Sequence, residues 1–522
     1  RQAIYDLPRV KKFEKKYNQE KVDKYIQSIE SELEELDYND PKDKRKIASR
    51  EQKISNIKAG IFTTKKEQEL IRPINLGSSV DLPALMYSEE GFHFEVIKNN
   101  ESGKPSTDEE TLTNLRLTVK KPDSPKAIFL DKLLELRGLE KMYKTYIEGW
   151  NEKVQDDDRL HGRFLIHGTT SGRLSSAEPN AQQIPKTSVD PNIKLQLKAP
   201  KGTLYIASDF SQAELRIMAH LSGDETYLNA FNSGQDPHLA IAATKYHIPY
   251  EEALKIYEDE NHPEHKIWKV RRKQAKQIAF GLIYGIGAKL LAVKLSDPKS
   301  GIIVTPEEAQ KEMDIFFGQH PKLKTFLKKQ EKFLRKNGHL VSLFGRKRRL
   351  PQIYSNDKGE EAYALRLALN FPCQSAASDM CLFGSILIYY LMRQGKLPST
   401  KSVCLVHDAN YQITKPENIN IWSIYEMWQI YRNPLTKPYF GFQIDDVTMD
   451  MEFVIGRSMA EELPFIPGYD YKKMLEPDFS VEEYMEEHKK YKHIPISEYK
   501  KRFNKQMKQY EKDFERTHGM ES

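Results

Sequence analysis

At 522 residues the chain is long enough for roughly two to four lobes, each with its own core, which excludes a small stapled scaffold. Its 81 Lys and Arg against 75 Asp and Glu give a formal charge of +6, a mild leaning towards polyanions, and 39% hydrophobic residues suit a soluble protein. Three cysteines, Cys373, Cys381 and Cys404, lack CxxC spacing, which excludes a zinc site or disulfide framework and points to a reducing compartment.

The chain opens on Arg1 with no signal-peptide pattern, so an upstream part is expected. Residues 1 to 151 read as long solvated helices: "IQSIESELEEL" and "IFLDKLLELRGLEKMYKTYIEGW" carry apolar residues at helical spacing. Between them the Lys-rich stretch near 37–70 reads as a linker or an exposed helix pair. "STDEETL" has the Asp-x-Glu spacing of an exonuclease metal site, but a helix start capped by Thr107 and Glu110 accounts for it better.

From 152 the texture turns to short β-like runs, "RLHGRFLIHGTTSGRLSS" and "GTLYIASDFSQAELRIMAHLSGD", which suggest a mixed sheet. The acidic run Asp156 to Asp158 reads as a solvated loop. Residues 224 to 364 return to helices, and "HPEH" at 262 to 265 is unsuited to metal because Pro263 intervenes and no Cys is near. "GRKRRLP", Gly345 to Pro351, fits a phosphate contact or a solvated loop. "CLFGSILIYYLM" is far shorter than the roughly 20 residues a membrane span needs and reads as a core helix. The β texture resumes with "KSVCLVHDANYQI" and "FQIDDVTMDMEFVIG". The tail from 466 to 522 is highly charged and helical in pattern, with Tyr and Phe at intervals, and reads as a disorder-leaning or surface-packed appendage.

Three segments carry chemistry together. Asp408 is the single acid in "KSVCLVHDANYQITK", at the tip of a strand–turn–strand; turn chemistry alone would account for it. Asp209 ends the hydrophobic strand of "LYIASDFSQAELRI", where a sheet hands a side chain to a cleft. Two such aspartates on adjacent strand ends can hold two Mg²⁺ ions for in-line phosphoryl displacement. In "RRKQAKQIAFGLIYG", Arg272, Lys276, Phe280 and Tyr284 recur every four residues, so one helix face offers two cations and then two rings. That suits a triphosphate followed by a base or sugar, although a basic amphipathic helix has the same pattern.

These segments resemble the A, B and C motifs of the family A DNA polymerases. The resemblance runs from about residue 73 to 465 and includes "TTSGRLSSAEPNAQQIP", "RLALNFPCQSAASD" and "LVHD" in the family's order. It implies an α+β right-hand fold. The thumb would be 1–151 with an insertion near 37–70, the palm 152–223 and 365–465 around an antiparallel sheet, and the helical fingers 224–364, with an extension at 466–522. It further implies template-directed DNA synthesis from dNTPs on a primer-template, with Mg²⁺, for which Mn²⁺ can substitute.

By the same resemblance Asp209 and Asp408 are the catalytic metal ligands, joined by the backbone carbonyl of Phe210. Gln212, Glu214, His238, Arg272, Lys276, Phe280 and Tyr284 would bind the dNTP, with Glu214 as the steric gate against ribonucleotides. Phe280, where some members carry Tyr, would discriminate against dideoxynucleotides. Arg173, Asn180, Gln182, Arg366, Asn370, Gln374 and His407 would contact primer-template DNA.

The chain departs from the family in three places: Ala409 stands where Glu follows the motif C Asp, Ser375 where Gly follows Gln374, and Ala279 where Asn often precedes Phe280. Ala409 is the one feature favouring the rival expectation, a catalytically impaired DNA-binding scaffold. No proofreading or 5′-nuclease pattern is read in the chain. A monomer without membrane contact is expected, in cytoplasm, nucleoid, organelle matrix or phage-infected cell, with the thumb insertion and the extension as surfaces for a replication accessory protein.

Overall fold

The computed structural model describes residues 1–518 except 101, 120, 186, 188, 189, 297–303, 433–439 and 493. The chain divides into two compact units, Arg1–Ile147 with Ser296–Ile303, and Glu148–Leu295 with Val304–Ser522.

The first unit is built on helices. The helix Pro8–Glu34 places Pro at its first turn, where a missing N–H is harmless, and buries Val22, Ile26, Ile29 and Leu33 along one stripe. The Lys-rich stretch is a second helix, Pro41–Lys58, capped by Asp40, and its Ile47, Ile54 and Ile57 close a separate small core with that stripe. The capping expectation at 107–110 needs correcting. Asp108 is the N-cap, its carboxylate accepting from Thr111 N at 2.7 Å, while Glu110 pairs with Lys98 at 2.8 Å. A carboxylate at the N-cap satisfies the third amide directly and leaves Thr107 no such task.

The second unit is organised by a five-stranded sheet in the order β6-β7-β3-β8-β9: β3 Leu204–Phe210, β6 Lys401–Val406, β7 Ala409–Thr414, β8 Met451–Gly456 and β9 Leu463–Pro464. The pairs β1 (Arg163–Leu165) with β2 (Ser175–Ala177), and β4 (His339–Val341) with β5 (Lys347–Arg349), form two small two-stranded sheets. All of these pairings are antiparallel, which corrects the mixed sheet suggested by the β-like runs and bears out the antiparallel palm sheet implied by the resemblance: the two-residue turn between β6 and β7 reverses the chain, and the helical insertion returns it so that β7 opposes β3.

Side chains alternate along β3. Leu204, Ile206 and Phe210 enter the large core under the helices, whereas Tyr205 and Ala207 join Tyr411 and Met459 on the opposite face. Asp209 follows that second face to the strand's end.

The helix Lys358–Arg393 runs through the expected fingers-to-palm boundary at 364 and carries Pro372 in its interior. By length and apolar character alone it could cross a membrane, yet its Ala368, Phe371, Ala376, Met380 and Ile388 are buried in the cores. Gly384 is needed there, since a Cβ would lie 2.5 Å from the ring of Tyr431.

The charged tail is surface-packed and helical, with Val481–Lys489 and Asn504–His518 joined by shorter turns. Its Tyr471, Met474, Tyr484, Tyr499 and Met507 complete the large core, and Phe514 packs on Trp422 at 5.1 Å. The spaced aromatics thus anchor a segment whose composition alone leans to disorder; residues 493 and 519–522 of it lie outside the described residues.

Candidate active site

Asp209 stands opposite Ala409 of β7 on one side and Glu452 of β8 on the other, so the three positions share one sheet face. Asp408 follows His407 in the turn that closes Val406 on Ala409. Both aspartates sit beside left-handed backbone: φ is +58° at His407 and +58° at Gln212, three residues after Asp209. Such residues cost on the order of 1 kcal/mol or more and persist where the surroundings over-determine them.

The surroundings do so here. The side-chain amide of Gln182 donates to Leu405 O, and its Oε1 accepts from His407 N at 3.0 Å, so one residue brackets the turn. Beneath it, buried Asn410 donates to Tyr431 Oη at 2.8 Å and accepts from Ser402 Oγ at 2.7 Å. On β3's side, buried Arg216 donates to Ser211 O at 2.7 Å and to Thr448 O.

Asp209 reaches solvent at the end of β3, but partial desolvation by the surrounding protein and the charges of Asp408, Glu452 and Glu462 push its carboxyl up to about 7. A cation would relieve that repulsion. Among the described residues no three His, Cys, Asp or Glu side chains lie close enough to hold an ion by themselves. Two carboxylates and a carbonyl, with water and phosphate completing the shell, match the hard-oxygen, partly hydrated coordination of Mg²⁺.

Glu214 lies on the helix Ala213–Ser222 that follows Asp209. Arg173 Nη2 reaches its carboxylate at 2.6 Å, and Tyr284 Oη donates to its second oxygen. Tyr284 caps the helix His265–Ile283, which therefore ends against the segment after Asp209. Along that helix Lys276 lies 5.7 Å from the Phe280 ring, and Phe280 stacks with Tyr284 at 6.2 Å, giving the cation-then-ring face its predicted order. Arg272 is bound to Asp236 at 2.6 Å.

His238 packs at 5.7 Å from Phe280 with neither ring nitrogen bonded. Burial, reinforced by the charges of Arg272 and Lys276, holds its imidazole down at about 4, although Asp236 pulls the other way. Gln212 Oε1 is buried without a protein partner.

Arg366, Asn370 and Gln374 recur every four residues on the helix Lys358–Arg393, so they share one face, and Asn370 Oδ1 has no protein partner. Asn180 is bound to the amide of Gln182 at 3.0 Å, and His407 is exposed. Nearby, Arg346 of the basic hairpin pairs with Asp379 at 2.7 Å and passes so close to Gly172 that a Cβ there would lie 2.4 Å from the guanidinium carbon.

Sequence reasoning passed over Asp236, Glu452 and Glu462. Asp236 lay in view two residues before His238. The carboxylates on β8 and after it emerge only from the strand register.

Residues 42–420 match the sequence model of DNA polymerase family A. DNA polymerase I, thermostable, of Thermus aquaticus is 32% identical over 319 residues, covering 61% of this chain and 35% of that protein. DNA polymerase I of Pseudomonas aeruginosa is 32% identical over 336 residues, covering 64% and 33%. The chain thus spans about a third of the length of these relatives. The POL domain of Pol1 from M. smegmatis, solved in complex with DNA primer-template and dNTP, superposes with a TM-score of 0.60 and 28% identity, over 75% of this chain and 62% of that one. With the family matched across more than half of its residues and the polymerase-domain architecture shared, the chain belongs to DNA polymerase family A.

Proposed function

We propose that this chain is a template-directed DNA polymerase that adds dNTPs to a primer 3′-hydroxyl and releases pyrophosphate. The observation that carries the reading is the meeting of Asp209 and Asp408 at adjoining strand ends, joined through Glu214 and Tyr284 to a helix face of cations and rings.

Asp209, Asp408 and the carbonyl of Phe210 would hold two Mg²⁺ ions, which when bound neutralise charge at the attacking and leaving oxygens. Lys276, Arg272 and His238 would receive the triphosphate; Arg272 exchanges Asp236 for a phosphate oxygen. Phe280 would lie against the sugar and base. Glu214, fixed by Arg173 and Tyr284, would crowd a ribose 2′-hydroxyl. Arg366, Asn370 and Gln374 would follow the primer-template, where one helix face can test pair shape without reading sequence.

The three cysteines are free and two are buried, which supports work in a reducing compartment. The test is primer extension with dNTPs and Mg²⁺ beside Asp209→Ala and Asp408→Ala. Extension by the parent and none by the variants is expected. DNA binding without extension, in Mg²⁺ and Mn²⁺ alike, would favour a scaffold.

A further inference from the structure

The chain's positive charge is uneven: residues 266–294 carry 8 Lys and Arg and no acid, and a second basic stretch follows at 321–350. Between Pro321 and Leu350 the chain carries 11 Lys and Arg and a single acid, Glu331; taking these from 81 basic and 75 acidic residues leaves 70 and 74. Without this stretch the molecule would be weakly acidic.

The helix Pro321–Asn337 buries Leu323, Phe326, Leu327 and Leu334 and leaves Lys324, Lys328, Lys332 and Lys336 exposed. Successive members of that row rise about 6 Å along the axis. The one acid is taken by Arg335 at 3.0 Å. Lys328, Lys332 and Lys336 have no ion-pair partner among the described residues. Like charges four apart destabilise a helix, and a merely solvated face intersperses acids among its bases. This row repels itself unless a polyanion lies along it.

Exposed rings stand on this helix and on the elements packed against its end. Phe333 is 42% exposed, Tyr354 61% and Tyr363 50%. They are carried on one small core of Leu334, Leu340, Leu350, Ile353, Ala364 and Phe371, which fixes the helix end, the β4–β5 hairpin and the start of the helix Lys358–Arg393 together. A cationic track with exposed rings is the chemistry that holds unpaired nucleotides, phosphates on the charges and bases on the rings. A duplex, its bases already stacked, has no use for the rings. Tyr363 precedes Arg366 by three residues on the same helix, so the surface adjoins the expected primer-template contacts.

We propose that this face binds the single-stranded 5′ overhang of the template, with Lys328, Lys332 and Lys336 along its backbone and Phe333, Tyr354 and Tyr363 against its bases. The word template rests on the polymerase reading; the binding of single-stranded DNA does not.

The test is fluorescence anisotropy in EDTA with hairpin primer-templates bearing overhangs of one or about fifteen nucleotides, a length that spans such a track. The parent should bind the long overhang about tenfold tighter. The variant carrying K328Q, K332Q and K336Q should lose that gain and flatten the salt dependence by about 2 in log–log slope, about 0.7 per phosphate contact. F333A with Y354A should lose affinity with the salt slope unchanged. All should keep the parent's affinity for the short overhang, which together with an unchanged Tm marks a folded chain. Equal parent binding to both substrates, or an undiminished gain in the lysine variant, overturns the proposal. A parent that shows the gain but incorporates no nucleotide would count against the polymerase reading and for this surface.

Discussion

Asp209 and Ala409 are direct cross-strand partners, so the methyl of Ala409 occupies the place from which a family carboxylate would face Asp209. Opposite residues in an antiparallel pair lie about 5 Å apart, close enough for one charge to govern the other. Ala409→Glu should therefore raise the Asp209 carboxyl further, lower the metal-free Tm by about 1 °C (about 1 kcal/mol), and reduce the Mg²⁺ concentration needed for half-maximal extension. An unchanged Mg²⁺ requirement would mean that position 409 does not sense the metal site.

The same repulsion predicts a sign for pH. Asp209 titrates at about 7 when folded, against an ordinary carboxylate near 3.8. Between those values the folded chain binds the proton and the unfolded chain does not, so metal-free stability falls as pH rises through this window. Asp209→Asn removes the dependence. In EDTA at pH 8 it should be the more stable protein, by on the order of 1 kcal/mol after discounting for solvent at the strand's end, while losing extension. Thermal unfolding of both chains from pH 4 to 8 checks this, and Mg²⁺ should erase the difference above pH 7.

His238 titrates in the opposite sense. Its imidazole is neutral down to about 4, below the usual 6.5, so its contribution to stability is lost as pH falls between those values. A triphosphate arriving beside it would restore the proton. Binding of dNTP near pH 6 should take up protons in the parent and fewer in His238→Gln, as calorimetry in buffers of different ionisation enthalpy would register. Equal uptake by both would remove His238 from the phosphate site.

Glu214 is held at both oxygens, by Arg173 and by Tyr284, so it cannot swing aside for a 2′-hydroxyl without breaking a charged pair. Glu214→Ala should narrow the preference for deoxynucleotides by about 10–200-fold, the range one packing contact commands. The ratio of kcat/KM for matched dNTP and rNTP measures it; an unaltered ratio would place the gate elsewhere.

How far these features could be read from sequence depended on their range. The Asp408 turn, the strand ending at Asp209 and the row Arg272, Lys276, Phe280 and Tyr284 are set by local patterns of period two or four, and the structure arranges them accordingly. Strand direction was not local: the β-like runs alone suggested a mixed sheet and only the resemblance implied the antiparallel one, because pairing between β3 and β7 is decided by the returning helices. The tail was legible as a helical, surface-packed appendage, but its anchoring was not, for the same reason. Its charge is local, but Tyr471, Tyr484 and Tyr499 gain meaning only against the core that receives them. Glu452 was hidden until β8 had a register.

Gln182 separates two roles that the sequence could not. Family resemblance makes it a DNA contact, whereas in the folded chain its amide donates to Leu405 O and accepts from His407 N, on either side of the turn that presents Asp408. A hydrogen bond holding a strained turn acts on the geometry of the aspartate; at these part-exposed partners one bond contributes about 0.5–1.5 kcal/mol, and the two together about 1–3 kcal/mol. If support of the turn dominates, Gln182→Ala should lower single-turnover incorporation about 10–100-fold, raise the Mg²⁺ requirement and leave the Kd for primer-template unchanged. Gln182→Glu, which keeps the acceptor for His407 N but not the donor for Leu405 O, should fall between. A raised Kd with normal metal dependence would instead mean that the side chain leaves the turn for DNA. Then Gln182 belongs with Arg366, Asn370 and Gln374 rather than with Asp408.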